Sequence, residues 1–312
     1  MRDETVECSV IIPTHHRNDR LQRVLEAYGR QTVPRDRFEI VVVEDGPGGN
    51  ARAVCESLGA RYIDSPHAPG PSGARNLGVR SARSPLVLLT GDDMVPAPDL
   101  IARHLSAHAE TPDGAVLGRV AWHPDCDVTR FMRYLVERGG QFSFKKIVGP
   151  EDCDYRFFYA ANISLGTHWL ERHPFDERFP YAALEDVELG YRLRRAGLVT
   201  RYRPGAVVYH LHQIDLAAYA ERMMRVGECM WYFVMKHGED RSLRGRWLPF
   251  TLFPGGTRVI TAVGGLLSLL PPSRPKWYGF LARWYARGVA RAARRARNLG
   301  SPLPEGNPSK GA

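Results

Sequence analysis

The chain has 312 residues, 44% of them hydrophobic, 25% charged and 10% aromatic, a composition that excludes wholesale disorder and coiled coil and suffices for one large α/β domain or two smaller ones. Its net charge of +9 is uneven: residues 241–300 hold 12 Arg and Lys and no Asp or Glu, which leaves 31 basic against 34 acidic residues, or −3, elsewhere. The basicity belongs to a tail, so it does not describe a nucleic-acid-binding body.

Cys8, Cys55, Cys126, Cys153 and Cys229 are odd in number and never spaced C-x-x-C, which suggests neither a disulfide framework nor a thiolate zinc site. The opening MRDETVECSVIIP carries acids where an export signal needs a basic stretch and a long apolar run. A cytoplasmic protein is the expectation.

Cys8–Pro13 is a short apolar, β-branched run that predicts a buried strand. Leu21, Val24, Leu25 and Tyr28 then fall at helical spacing. Phe38–Val43 predicts a second strand running into Glu44-Asp45-Gly46, Ala51–Leu58 a helix closed by Gly59, and Arg61–Ile63 a third strand. Arg75–Ser81 reads as a helix and Leu86–Thr90 as a strand that runs straight into Gly91-Asp92-Asp93.

Strands alternating with helices at such short intervals imply βαβ units and a mostly parallel sheet. Ligands of such sheets bind at the carboxyl ends of the strands, where Thr14 to Arg17, Asp45 and Asp92-Asp93 lie. Further on, the pattern predicts a strand at Ala115–Val120, a helix at Val128–Arg138, a strand at Phe157–Leu165, a helix at Leu184–Ala196 stopped by Gly197, and a strand at Ala206–His212.

From Leu216 the pattern is helical, broken at Pro249, Pro254 and Pro271-Pro272. Val259–Leu270 is apolar but covers only 12 residues, short of the roughly 20 that span a bilayer. Residues 301–312, rich in Pro, Gly and Ser, read as a disordered tail.

Four features in fixed order, Pro13-Thr14 with Arg17, Asp45, Gly73-Ala74-Arg75-Asn76-Leu77-Gly78, and Asp92-Asp93, resemble glycosyltransferase family 2. Leu184-Glu185-Asp186-Val187-Glu188-Leu189-Gly190-Tyr191-Arg192-Leu193 extends the resemblance and also looks like the acceptor-side motif of galactosyltransferases. It implies a GT-A, Rossmann-like α/β domain with a mostly parallel central sheet and a C-terminal helical extension. The expected division is a nucleotide-sugar half at 1–110, an acceptor half at 111–213, a basic helical region at 214–300 and the tail.

A sugar nucleotide brings two phosphate charges close to carboxylates, a conflict that a divalent Mg²⁺ or Mn²⁺ resolves by bridging both sets of oxygens. The family's acidic motif is usually Asp-x-Asp, and here Gly91 stands where its first Asp would be. By the resemblance Asp93 therefore ligates the metal, and Asp45, Arg75, Thr14, Arg17, Pro13 and Asp92 surround the nucleotide and diphosphate. The resemblance also places a histidine of the last strand on the metal, with His210 favoured and His212 its rival.

One of Glu185 and Asp186 would be the general base of an inverting transfer. Acids at a helix start are favoured by the dipole without any function, but by the resemblance Asp186 takes the acceptor's proton and Glu185 orients the acceptor. Trp122, His123, Tyr159 and Asn162 are candidates for the acceptor pocket.

The resemblance implies a hexose or deoxyhexose moved from a UDP-, GDP- or dTDP-sugar to a glycan, lipid-linked or small-molecule hydroxyl, in cell-surface glycan or glycolipid assembly. A sugar-phosphate nucleotidyltransferase would carry a Gly-rich loop after its first strand, where this chain has Pro13-Thr14-His15-His16-Arg17. A catalytically silent nucleotide-sugar-binding scaffold is the reading that Gly91 would favour. In 241–300, aromatics among regularly placed arginines fit either a helix lying on an anionic membrane surface, peripheral on the inner face of the cell membrane, or a basic helical subdomain.

Overall fold

The structure, a computed structural model, describes residues 5–65, 70–138, 141–248 and 255–299. Among these the chain divides into two compact units. The first runs to Thr129 and includes Leu135–Glu177 and Asp186–Gln213; the second comprises Arg130–Tyr134, Arg178–Glu185 and the chain from Ile214 onward.

The first unit is mixed α/β around a mostly parallel central sheet. Its strands are β1 (Cys8–Thr14), β2 (Phe38–Asp45), β3 (Arg61–Ser65), β4 (Leu86–Thr90), β5 (Met94–Pro96), β6 (Ala115–Trp122), β7 (Asn162–Gly166) and β8 (Thr200–His210). They stand in the order β3-β2-β1-β4-β7-β6-β8-β5. The neighbours among β3, β2, β1 and β4 are parallel, as are β6 and β8, whereas β7 enters antiparallel to both its neighbours and β5 antiparallel to β8.

The helices of this unit are α1 (Asn18–Tyr28), α2 (Arg52–Ser57), α3 (Pro71–Arg80), α4 (Leu100–Glu110), α5 (Arg130–Arg138, whose first residues belong to the second unit), α6 (Thr167–Arg172) and α7 (Glu185–Arg195). Because a strand's side chains alternate between faces, Val10, Ile12, Ile40, Val42 and Leu88 join one core with Leu21, Val24 and Leu25 of α1, Cys55 of α2 and Leu100 of α4. Ile11, Val41, Val43, Val87 and Leu89 join the other with Ala74 and Val79 of α3, Leu170 of α6 and Leu189 and Leu193 of α7. A sheet covered on both faces needs apolar residues at successive positions, which explains the uninterrupted runs Val10–Ile12 and Ile40–Val43.

Several boundaries differ from expectation. α3 starts at Pro71, four positions before the predicted Arg75, because proline suits the first turn of a helix. The predicted strand Phe157–Leu165 is a 3₁₀ turn at Tyr155–Phe157 followed by β7 from Asn162. β8 extends back to Thr200 and stops at His210, so His212 lies beyond it. Neither β5 nor α4 was legible beforehand. Gly197 closes α7 at φ 99°, as the sequence suggests.

The second unit contains α8 (Leu216–Lys236), α9 (Arg241–Trp247), α10 (Gly256–Leu267) and α11 (Arg274–Leu299). α8 and α11 approach closely through glycines: a Cβ on Gly288 would collide with the Met224 carbonyl, and one on Gly227 with that of Tyr285. The Pro271-Pro272 break separates α10 from α11. Pro249, Pro254, Phe250, Phe253 and the 301–312 tail lie outside the described residues. No described helix is long and apolar enough to cross a membrane.

Candidate functional site

The carboxyl ends of β1 and β4 meet the end of β8 at a cluster of charged side chains. Thr14, the last residue of β1, donates to Asp92 Oδ2 at 2.8 Å. Arg17 caps α1 and reaches Asp92 Oδ1 at 3.3 Å and Asp93 Oδ2 at 3.9 Å. β8 pairs antiparallel with β5 so that Met94 stands opposite His210, which sets the histidine beside the neighbouring Asp93. His210 Nε2 lies 3.4 Å from Asp93 Oδ2, and His212 Nδ1 3.9 Å from the same oxygen.

The two carboxylates of this pair are driven apart. Burial, reinforced by the Asp93 charge, raises the Asp92 pKa above the ordinary carboxylate value despite Arg17 and Thr14. Burial alone would also raise Asp93, but the hydrogen bond and charge of His210, with Arg17 and His212, outweigh it and hold Asp93 below its usual value. Asp93 is thus the more acidic carboxylate of the pair.

Asp93, His210 and His212 offer one carboxylate oxygen and two imidazole nitrogens within 4.8 Å of one another. A mixed O and N donor set of this kind suits a divalent first-row ion. His210 fits the role well: its Nδ1 is buried without a hydrogen-bond partner, and its ring is stacked on Trp122 (5.4 Å, 17°) and met edge-on by Phe142 (5.9 Å, 87°). His212, stacked on His210 at 5.4 Å, is less available, because Arg20 Nη1 donates to its Nδ1 at 2.8 Å. Burial, with the His210 charge next, pushes the His212 imidazole down to about 4, so it is neutral at pH 7.

The other predicted residues lie in two further groups. Asp45, at the end of β2, accepts from the Gly70 backbone N–H at 3.2 Å, and His15 Nδ1 contacts the Asp45 carbonyl. Arg75 on α3 packs its guanidinium over the Phe175 ring at 5.4 Å. Pro13 occupies the penultimate position of β1, in register with Val43. Asp186 opens α7 and accepts from Ala160 N at 3.1 Å and from Val187 N at 2.8 Å. Buried Glu185 precedes it and falls in the second unit.

Tyr159 connects Asp186 to the histidines. Its phenol is raised by burial and further by the Asp186 charge, and its ring meets Phe142 at 5.5 Å, which in turn meets His210.

Some motif residues turn out to have structural duties. Asn76 donates to the Phe175 carbonyl at 3.0 Å and to Glu177 at 2.8 Å and accepts from Phe175 N at 2.9 Å, pinning that loop as a peptide strand would. Asn162 is fully buried rather than lining a pocket. It donates to the Arg119 and Ala206 carbonyls at 3.1 and 3.0 Å, across the register shift between β6 and β8 that follows Gly118. His123 Nδ1 accepts from the Asp125 backbone N–H at 3.1 Å.

Arg20 and Phe142 were not singled out from sequence. The Arg17-x-x-Arg20 spacing on one helix face could have indicated the first; Phe142 carried no such signal.

Residues 9–173, more than half of the chain, match glycosyl transferase family 2. The chain belongs to that family. This family 2 glycosyltransferase is 28% identical over 309 residues to validoxylamine A glucosyltransferase of Streptomyces hygroscopicus subsp. limoneus, a match covering 85% of the chain and 68% of that protein. It is 27% identical over 241 residues to chondroitin synthase of Pasteurella multocida, covering 67% of the chain but only 25% of the synthase. Among solved structures, a mannosyltransferase from Pyrobaculum calidifontis in complex with GDP-Man and Mn²⁺ superposes with a TM-score of 0.66 at 16% identity, over 93% of this chain and 88% of the other. S. aureus TarS in complex with UDP superposes with a TM-score of 0.54 at 16% identity, over 95% and 92%. These likenesses establish a GT-A fold for the transferase.

Proposed function

We propose that this glycosyltransferase moves a hexose or deoxyhexose, with inversion, from a UDP-, GDP- or dTDP-sugar to a hydroxyl acceptor. The observation that carries the reading is the convergence of Asp93, His210 and His212 at the carboxyl ends of the strands, beside Thr14, Arg17 and Asp92. The glucosyltransferase name of one relative and the GDP-Man, UDP and Mn²⁺ bound to the structural neighbours support it.

In this reading residues 1–110 form the donor half, in which Asp45 and Arg75 flank the nucleotide and Pro13, Thr14, Arg17 and Asp92 lie along the diphosphate. Asp93 and His210 would hold Mg²⁺ or Mn²⁺, joined by His212 where Arg20 releases its Nδ1. A bound divalent ion neutralises the diphosphate and favours its departure.

Residues 111–213 supply the acceptor side. Asp186, fixed by two backbone N–H groups, takes the proton of the attacking hydroxyl as its oxygen bonds to the anomeric carbon and the bond to the diphosphate breaks on the opposite face. Glu185 orients the acceptor. Cell-surface glycan or glycolipid assembly is the setting that suits the chondroitin synthase relative.

The test is release of nucleoside diphosphate from a panel of UDP-, GDP- and dTDP-sugars with and without Mn²⁺, preceded by thermal-shift screening against the free nucleotides. One base should give a shift that grows with Mn²⁺, and only its sugars should turn over. Metal-independent turnover would overturn the assignment of Asp93 and His210.

A further inference from the structure

In α10 the apolar residues are on the wrong side for a helix in a globular core. Among its residues only Gly264 is buried. That face is pressed so closely on α11 that a Cβ on Gly264 would collide with the Gly279 carbonyl, and one on Gly279 with Leu267. Val259, Val263 and Leu266 point the other way, 59%, 48% and 69% exposed, and Leu269 follows at 80%. At about 100° per residue the three helical positions fall within roughly 60° of arc, a continuous apolar stripe. Tyr278, at the start of α11, is also exposed.

Beside this stripe lies a cavity of about 720 Å³ lined by Arg258, Arg287, Arg294 and Arg297, with Val289 and Trp231 on its wall. No carboxylate lines it, and residues 241–300 contain none at all. The buried acid opposite this segment, Glu228 on α8, is already engaged by Arg291 at 3.6 Å. An exposed apolar stripe flanked by arginines without counter-charges is poorly suited to water and well suited to the boundary between acyl chains and anionic headgroups. A 12-residue helix is only about 18 Å long, too short for the roughly 30 Å hydrocarbon core.

We infer that the α10–α11 hairpin docks on an anionic lipid bilayer, with Val259, Val263, Leu266 and Leu269 entering the interface and the arginines of the cavity taking lipid phosphates. Each arginine near an anionic surface strengthens partitioning by about fivefold, and the apolar stripe adds a contribution that salt does not screen. The requirement is for both together.

The experiment is co-sedimentation of the full chain with vesicles of phosphatidylcholine alone or with phosphatidylglycerol added. The wild type should pellet with the anionic vesicles and remain in the supernatant with the neutral ones. Val263→Asp/Leu266→Asp and, separately, Arg294→Glu/Arg297→Glu should each weaken anionic binding by at least about tenfold. Circular dichroism and thermal melting should match the wild type, since none of these side chains is buried. A wild type that stays in the supernatant with anionic vesicles overturns the inference, as does undiminished binding by either folded double variant. A wild-type dimer in solution that Val263→Asp/Leu266→Asp converts to monomer would also overturn it, by assigning the stripe to a second copy.

Discussion

Lowering the pH from 7 to 5.5 should destabilise the enzyme through two histidines outside the Asp93–His210–His212 cluster. The Asn162 amide nitrogen is committed to two carbonyls, so its Oδ1 must accept from His104 Nε2–H at 3.0 Å. His104 Nδ1 is then left to accept from Ser164 Oγ at 2.7 Å, and that oxygen accepts from His108 Nε2–H at 2.8 Å. Both imidazoles are neutral in this chain, and burial pushes each down to about 4. The unfolded chain takes up protons near pH 6.5 while the folded chain refuses them until about 4, so stability is full above 6.5 and declines as the pH falls through that interval. Between pH 7 and 5.5 each histidine should remove on the order of 1 kcal/mol. Carboxylates with ordinary pKa values stay ionised in this range. The assay is urea unfolding followed by tryptophan fluorescence at both pH values, for the wild type and for His108→Gln, whose amide can still donate to Ser164. The pH-induced loss should be about 1 kcal/mol smaller in His108→Gln, and His212 and the remaining histidines cancel in that difference. Equal losses in the two proteins would refute the buried neutral chain.

Three further outcomes are expected at or near the site. His210→Ala should reduce metal-dependent release of nucleoside diphosphate by about 100-fold or more, and His212→Ala by less, because Arg20 already engages its Nδ1; Mn²⁺ titrations of both variants check this, and the reverse ranking would contradict it. Asp186→Asn should slow transfer by about 10²–10⁴ while leaving donor affinity nearly unchanged, read from turnover and from nucleotide-sugar binding by calorimetry; parallel loss of both would indicate a folding role. Gly78→Ala would set a Cβ 2.5 Å from Ile11 Cγ2 and 3.3 Å from Val43 Cγ2, forcing α3 off the sheet at a net penalty of roughly 1–2 kcal/mol after the helix-propensity gain, measurable as a lowered urea midpoint.

What could be read from the sequence follows the range of the interactions. The runs at Val10–Ile12 and Ile40–Val43 announce doubly covered strands because burial of both faces is written locally, and Gly197 marks a helix end because the φ it adopts is a local property. β5 escapes such reading: three residues ending in proline hold a strand only because β8 supplies the partner. Asn162 looked like a polar pocket residue because nothing nearby in sequence shows that its amide spans a register shift between two distant strands. The family's motif order pointed to Asp93 and His210 together, and the structure brings them to 3.4 Å, but the surroundings that separate His210 from His212, namely Arg20, Trp122 and Phe142, come from distant parts of the chain.

The strand order also sets a timetable for synthesis. β3, β2, β1 and β4 are contiguous in the chain and pair within the first 90 residues, so that half of the sheet can form while the rest is still on the ribosome. The Asp93–His210–His212 cluster must wait for β8, whose sequel His212 stands 192 positions after its partner Arg20, roughly 10 to 40 s of elongation. β4 has an open edge until β7 is made at Asn162–Gly166, and Asp93 lacks its histidines until β8 follows. A nascent chain stalled before residue 200 should therefore be competent for its first four strands yet unable to complete the cluster at Asp93.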